Sequence, residues 1–188
     1  RRYPDLTIHR MIETLARGKK PVDDFDKMAL LGDQCSDREQ RAATRAEVAR
    51  ALGRVTNPEF RPLLVPLMFD ANTDVARAAI RSAARLGAGD FLFVPPLVSL
   101  LRNRLLKGAA RDVLADYGEA VVPTLVYFMQ DREEDPWVRR HMPATLARIP
   151  CAASLQALLA TVDDPDGFLR YKALAALEHL RRTRPDLV

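Results

Sequence analysis

The chain has 188 residues, with 29 Lys and Arg against 25 Asp and Glu and a formal net charge of +4. Such a length fits one domain of ordinary size, or an array of small units that share one core. A hydrophobic content of 48% excludes wholesale disorder. No apolar run reaches the roughly 18 residues that a membrane span needs, and the N-terminal segment lacks the apolar stretch of a signal peptide.

Composition also indicates the fold class and the compartment. Ala and Leu contribute 27 and 26 residues, while β-branched and aromatic residues are sparse, which predicts helix throughout. Cys35 and Cys151 lie far apart in the sequence and form neither a ligand pair nor a disulfide framework. We therefore expect a reducing compartment, the cytoplasm. Because the first residue is Arg1 and not methionine, we expect a piece of a longer protein.

The first predicted elements are a helix from Asp5 to Arg17 and a loop, which together make an N-terminal segment of residues 1–20. A short helix from Val22 to Leu31 follows. Ser36 with Glu39 three residues later has the pattern of a capping box and predicts the start of a longer helix. Glycine is expected to end three of the longer helices in a left-handed conformation, at Gly53, Gly87 and Gly118.

The rest of the chain is predicted to be helical hairpins related by an internal repeat. Similar segments begin at Thr44, Val75, Leu106, Val138 and Leu169, at steps of 31, 31, 32 and 31 residues. Small or apolar residues recur at offsets 0, 4, 8 and 11, which predicts one buried stripe along an amphipathic helix. A shorter apolar helix precedes the last four segments, at Phe60 to Phe69, Phe91 to Leu101, Val121 to Met129 and Ser154 to Val162.

These elements predict five units within an array over residues 21–188. The units cover about 21–57, 58–89, 90–119, 120–151 and 152–184. In the first unit, the buried stripe is predicted at Thr44, Val48, Leu52 and Val55. A hairpin this short cannot bury its apolar face alone, so the units are expected to stack. The step of about 31 residues and the missing signature motifs disfavour tetratricopeptide and ankyrin repeats.

Two segments, 118–149 and 153–180, resemble the short HEAT-like repeats of phycobilisome lyases. They share a proline or apolar opening, an acidic turn, and a Val-Arg or Leu-Arg step into Ala and Leu positions. The resemblance implies an all-α, right-handed α-α superhelix, a HEAT/armadillo-like solenoid of about five helical hairpins plus an N-terminal helix. It implies that the second helices line the concave face, and that a turn aspartate (Asp70, Asp164) pairs with an arginine that opens the second helix (Arg139, Arg170).

The candidate binding surface is the face of the second helices opposite the apolar stripe, at offsets 2, 6 and 10. Seven arginines occupy it: Arg50, Arg54, Arg77, Arg81, Arg85, Arg140 and Arg148. This pattern fits a merely solvated face, a docking groove for an acidic protein segment, or a phosphate-binding track. Asp112 and Asp116 interrupt the basic stripe in the third unit, which argues against a continuous track for nucleic acid.

No catalytic or metal-binding pattern is evident in the sequence. The three histidines are distant from one another, and Glu178-His179 has the reverse order of the His-Glu pairs that HEAT-like metal hydroxylases use. A HEAT-like DNA glycosylase would need aromatic residues and a carboxylate beside its groove. Only Trp137 and Asp135 lie close together in the sequence, at a turn, and we expect Trp137 to pack between neighbouring units.

The sequence therefore predicts a non-enzymatic protein-interaction or regulatory scaffold that uses the concave face of a HEAT-like solenoid. The expected partner is a protein, either an acidic segment or another domain of the same chain. A nucleic-acid-binding array with an arginine-rich concave groove is the alternative. We expect no metal, no cofactor and no membrane span.

Overall fold

The computed structural model describes residues 10, 13, 14, 16–18, 25–87 and 91–187, without the side chains of 25–33 and 35. The helix predicted from Asp5 to Arg17 and the start of the one predicted from Val22 fall largely outside these residues. The chain divides into two compact units, residues 1–45 and 46–188. The boundary between them falls within the first long helix.

Within the described residues the α-helices follow one another with short connections and without a strand. They are α1 (Phe25–Leu52), α2 (Leu64–Met68), α3 (Thr73–Leu86), α4 (Val94–Leu100), α5 (Lys107–Asp116), α6 (Val122–Gln130), α7 (Pro136–Leu146), α8 (Ala152–Ala160) and α9 (Gly167–Thr183). Short 3₁₀ turns lead into α2, α4 and α6, and another follows α8. Pro95 and Pro123 lie in the first turns of α4 and α6. Backbone N–H groups in a first turn have no acceptor within the helix, so proline costs no hydrogen bond there.

The helices of the second compact unit pair as hairpins, α2 with α3, α4 with α5, α6 with α7 and α8 with α9. The second helix of each hairpin also packs against the second helix of the next, so that α3, α5, α7 and α9 form a continuous row. This arrangement confirms the all-α HEAT-like solenoid. Each second helix buries one side against its own hairpin partner and its flanks against neighbouring second helices.

The predicted apolar stripe is buried in the last four hairpins, apart from Leu86 and Leu177, which are half-buried. Val75, Leu106, Val138 and Leu169 open the stripe, and their side chains are at most 3% exposed. Four residues further on, Ala79, Ala110, Met142 and Ala173 are fully buried. The offsets read from the sequence therefore correspond to the core of this part of the chain.

The first predicted hairpin is wrong in its helix boundary and in its buried face. Residues 25–52 form one continuous helix, and Ser36, predicted to cap a helix, lies in its interior. No proline interrupts this stretch, so one glycine and one aspartate at 32–33 do not end the helix. The buried positions are those of small residues, Ala42, Ala46, Ala49 and Gly53, whereas Thr44 and Val48 are exposed.

Glycines end α3 and the segment after α5 as predicted, but Gly53 serves another purpose. Gly87 and Gly118 have φ angles of 88° and 63°, in the region that favours glycine. Gly53 has no positive φ; instead it is buried against Ser82 of α3. A Cβ at Gly53 would lie 2.5 Å from the Ser82 Cβ and 2.9 Å from its Cα. The absence of a side chain there permits the close approach of the two segments.

We predict that Gly53→Ala lowers the free energy of unfolding by about 1 to 3 kcal/mol, because the new methyl group would force the α3 backbone to move. Gly108→Ala is the matched control: Gly108 lies in α5, and no atom lies within 4 Å of the position that its Cβ would occupy. That change should be neutral or stabilising by up to about 1 kcal/mol. Urea titrations of the two variants measure both effects, and equal stability would contradict the close approach.

The turns between the two helices of each hairpin share one hydrogen-bond pattern. Asp70, Asn103, Asp131 and Asp164 each accept a hydrogen bond from the backbone N–H two residues on, at 2.8 to 3.0 Å. Asn72, Asp135 and Asp166 then cap α3, α7 and α9. Helix α5 begins without a side-chain cap, which agrees with the departure of its turn from the acidic pattern.

Arg139 joins three of these elements from a buried position. Its Nε donates to the Met129 carbonyl oxygen at 2.9 Å, near the end of α6 where carbonyls have no partner within the helix. Its Nη2 lies 3.3 Å from Asp164 Oδ2, in the turn of the next hairpin. This contact confirms one of the expected aspartate–arginine pairs. Arg170, the equivalent residue of α9, donates to the backbone carbonyls of Asp164 and Pro165.

We predict that Arg139→Met lowers the free energy of unfolding by about 2 to 4 kcal/mol, because it leaves the Asp164 carboxylate and the Met129 carbonyl without this donor. Arg170→Met is the matched control, since Arg170 is exposed, and it should cost less than about 1 kcal/mol. Similar losses for both variants in chemical denaturation would show that Arg139 does not have this joining role.

Candidate binding surface

The centre of the candidate surface is one face of α3. Arg77, Arg81 and Arg85, here called the arginine row, are spaced four residues apart and therefore lie on one side of the helix. The opposite side is buried through small residues, including Ala76, Ala79 and Ala83, which allow neighbouring helices to approach closely. Asn72 caps α3 with bonds to two backbone N–H groups, and this fixes where the row begins.

The arginine row stands between two hollows. One, of about 270 Å³, is lined by the row together with Arg50, Asp74, Ala78 and Ser82. The other, of about 690 Å³, lies between α3 and α5 and includes Leu105, Asp112 and Asp116. All three arginines of the row line both hollows, so a ligand on either side of α3 would meet their guanidinium groups.

The arginine row is largely without partners in the described part of the chain. Arg77 Nη2 donates to the Leu105 carbonyl oxygen at 3.3 Å. Arg81 and Arg85 are exposed and make no hydrogen bond or ion pair with any described residue. Like charges four residues apart on a helix cost about 0.2 to 0.5 kcal/mol for each pair. An anionic ligand would relieve this repulsion.

The other four predicted arginines have different surroundings. Arg50 pairs with Glu47; the hydrogen bond lowers the pKa of Glu47 and raises that of Arg50. Arg54 is exposed at the end of α1. Arg140 and Arg148 pair with acids of neighbouring hairpins, as described below. The structure therefore brings Arg50 together with the arginine row, while Arg140 and Arg148 belong to inter-helix ion pairs.

Two of these ion pairs connect neighbouring hairpins. Arg140 holds both carboxylate oxygens of Asp166, at 2.9 and 3.3 Å, and this lowers the pKa of Asp166. Arg148 forms an ion pair with Asp112. The Asp112 charge is therefore balanced within the protein, and it interrupts the basic face less than the sequence suggests. Asp116 is exposed and has no partner among the described residues.

A cationic region continues along α5, α7 and α9. His141 in α7 is half-buried, and burial lowers its pKa to about 4, helped by the charges of Lys107, Arg111 and Lys172. Arg111 donates from Nε to the Thr145 hydroxyl at 3.3 Å, and burial lowers its pKa as well. Both shifts have the cause expected where several cations share a partly desolvated surface.

The first turns of α7 and α9 carry a line of alternating rings and cations, here called the aromatic–cation ladder. Its members are Trp137, Arg140, Phe168, Lys172 and Tyr171. The Arg140 guanidinium lies 5.9 Å from the Trp137 ring centre and 5.1 Å from that of Phe168. The Lys172 ammonium lies 5.3 Å from Phe168 and 5.7 Å from Tyr171. These are cation–π distances.

The ladder corrects one sequence prediction and adds residues that the sequence analysis missed. Trp137 does not pack between units: it is 59% exposed, because it lies in the first turn of α7 on the side away from the core. Phe168 and Tyr171 are 46% and 62% exposed. The available signal was that Trp137 and Phe168, 31 residues apart, each lie two residues after a capping aspartate.

The described residues form neither a metal cluster nor a membrane-spanning helix. No three His, Cys, Asp or Glu side chains among them come together as a metal site. Glu178, beside His179, instead forms ion pairs with Arg181 and Arg182, which lower its pKa to about 2. In that same part of the chain, no helix is long and apolar enough to cross a membrane.

We predict that stability falls as the pH drops from about 6.5 to 4, through His141. The unfolded histidine takes up a proton near pH 6.5, whereas the folded one does so only near pH 4, so acid favours unfolding in this window. Because His141 is partly exposed, we expect about 1 to 2 kcal/mol. Thermal melts of His141→Gln should lack this part of the pH dependence, and His179→Gln, at an exposed site, should retain it.

Comparisons with known proteins concern the fold of the chain and not its candidate site. Curated proteins give no sequence match. Among solved structures, human deoxyhypusine hydroxylase in complex with glycerol is similar, at 19% identity and a TM-score of 0.34, over 75% of this chain and 80% of that one. A likeness at this TM-score supports no conclusion about activity. The sequence model of HEAT repeats matches residues 28–113 and 94–178, and the chain therefore belongs to the HEAT repeat family.

Proposed function

We propose that this chain is a non-enzymatic binding module whose arginine row docks an acidic segment of a protein partner. The observation that carries the proposal is that Arg81 and Arg85 are exposed without a partner among the described residues, beside two hollows. HEAT-like arrays present their second helices on the concave side, and α3 is such a helix. Charge-assisted hydrogen bonds to carboxylates or phosphoryl groups would supply affinity where the protein itself leaves the guanidinium groups unpaired.

The choice of a protein partner over nucleic acid rests on the acids near the row. Asp74 lines one hollow and Asp116 the other, and both are exposed. A nucleic acid carries a charge at every phosphate and would meet repulsion from both carboxylates. A peptide can place its acidic residues opposite the arginines and uncharged residues opposite Asp74 and Asp116. The balanced charge of Asp112 favours the nucleic-acid alternative, so the test includes oligonucleotides.

Binding is favoured over catalysis by the state of the surface acids. Hydrogen bonds from arginines lower the pKa values of Asp166 and Glu178. A general acid or base that works near neutral pH needs a carboxyl pKa shifted upward, toward the working pH. The partner is therefore proposed to be held and not transformed. We propose that this function belongs to a reducing compartment such as the cytoplasm. The thiol of Cys151, which forms no disulfide, is compatible with that proposal.

We predict that Arg81→Ala with Arg85→Ala weakens binding of a fluorescein-labelled Glu- and Asp-rich dodecapeptide about tenfold at about 50 mM salt. Each lost pair contributes up to about 1 kcal/mol, and about 1.4 kcal/mol corresponds to a tenfold change in Kd. Fluorescence anisotropy with the unchanged chain gives the reference affinity. Binding should weaken further as salt rises, because exposed ion pairs are screened.

The matched control is Arg102→Ala with Arg132→Ala, which removes the same net charge from exposed turn positions outside both hollows. This double variant should bind the peptide almost as well as the unchanged chain. If both double variants weakened peptide binding equally, the loss of affinity would depend only on net charge. That result would contradict the proposal. Tighter binding of labelled single- or double-stranded DNA or RNA than of the peptide, lost in the row variant, would favour the nucleic-acid alternative.

A further inference from the structure

The aromatic–cation ladder has the composition of an interaction hot spot on an exposed surface. Trp, Tyr and Arg dominate the binding energy of protein interfaces, and a ring that is held in place loses little entropy on binding. Three exposed rings meet at the first turns of α7 and α9. Single apolar residues on a surface need no explanation, but a group of rings joined by cations does.

Hydrogen bonds and ring contacts hold the members of the ladder together. Asp166 uses one carboxylate to cap α9 and to hold the Arg140 guanidinium, so it fixes the helix start and the cation together. Phe168 lies between Arg140 and Lys172, with its ring centre 6.3 Å from that of Tyr171. The outer rings, Trp137 and Tyr171, are more than half exposed and offer free faces to a ligand.

Charge selects the chemistry of that ligand. Lys172 has no ion-pair partner among the described residues, and Lys107 and Arg111 are close enough to influence the same histidine. The ladder therefore adjoins a cationic surface on one side. The turns that precede α7 and α9 carry exposed carboxylates, Glu133 and Asp163. These carboxylates would repel a polyphosphate backbone. A peptide can instead place its acidic residues beside the cations and its aromatic residue on the ladder, away from the carboxylates.

We infer that the ladder is the second half of the docking site, and that it takes an aromatic side chain of the same acidic segment that binds the arginine row. The inference rests on the proposed function. Helix α3 packs on α5, α5 on α7 and α7 on α9, so two helix-to-helix steps of about 8 to 10 Å separate the arginine row from Trp137 and three separate it from Tyr171. An extended chain covers these spans with about five to nine residues. The partner segment therefore carries an acidic stretch and an aromatic anchor at that separation.

Trp137 provides the readout, because it is the only tryptophan of the chain and belongs to the ladder. Two synthetic peptides serve as probes. Both carry four consecutive glutamates, a spacer of about eight flexible residues that is long enough to reach Tyr171, and then either phenylalanine or alanine. The Phe peptide should bind about tenfold more tightly than the Ala peptide and should change the emission of Trp137, since a stacked ring contributes about that much.

Variants separate the ladder from the rest of the surface. Tyr171→Ala should abolish the advantage of the Phe peptide and leave binding of the Ala peptide unchanged. Tyr127→Ala is the control, since Tyr127 of α6 is 66% exposed and lies outside the ladder. Retention of the Phe advantage in Tyr171→Ala would overturn the inference.

The outcomes also separate this inference from the proposed function. Equal binding of the two peptides, lost in Arg81→Ala with Arg85→Ala, would retain the arginine row as a docking site and overturn the role of the ladder. Absence of binding by both peptides would overturn both. A change in Trp137 emission with a single-stranded oligonucleotide at lower concentration than with the Phe peptide would assign the ladder to base stacking and overturn the inference as well.

Discussion

The structure depends on one constraint: no hairpin among the described residues is large enough to bury its own apolar face. Each second helix must therefore pack against its hairpin partner and against the second helix of at least one neighbouring hairpin. In α3 these contacts bury most of the helix surface. Small residues such as Ala76, Ala79 and Ala83 allow the neighbouring helices to approach α3 closely. Only a narrow exposed stripe remains on α3, so a ligand that binds this helix must be recognised by the side chains of that stripe.

The charges on the stripes divide according to their role in stacking. Arg139, Arg140 and Arg148 reach across to acids of neighbouring hairpins, and these contacts join the repeats. Arg81 and Arg85 have no such partner among the described residues. These two guanidinium groups therefore take no part in the ion pairs that join the repeats, and they are free to meet a ligand. The ladder likewise contains exposed side chains: its three rings lie on the surface beside cations and not in the core.

Much of the fold could be predicted from the sequence, because the apolar stripe repeats with the helical period and Val75, Leu106, Val138 and Leu169 are all buried. The buried face of the first unit was predicted wrongly because alanines, such as Ala46 and Ala49, occupy it in place of larger apolar residues. Alanine also occurs on exposed faces, so the pattern of residue size did not identify the buried side. The site was predicted only in outline. A wheel shows which residues face outward, as for Arg77 and Arg81, but pairing such as Arg148 with Asp112 depends on contacts 36 residues apart.

Docking of an acidic segment on the arginine row can be followed by NMR of the arginine Nε–Hε groups, assigned by single Arg→Lys variants. The chain is titrated with the Glu- and Asp-rich dodecapeptide. The resonances of Arg77, Arg81 and Arg85 should shift together, while that of Arg139, buried in its ion pair, should not move. Shifts spread evenly over all exposed arginines, or confined to those outside α3, would show that the row is not the docking site.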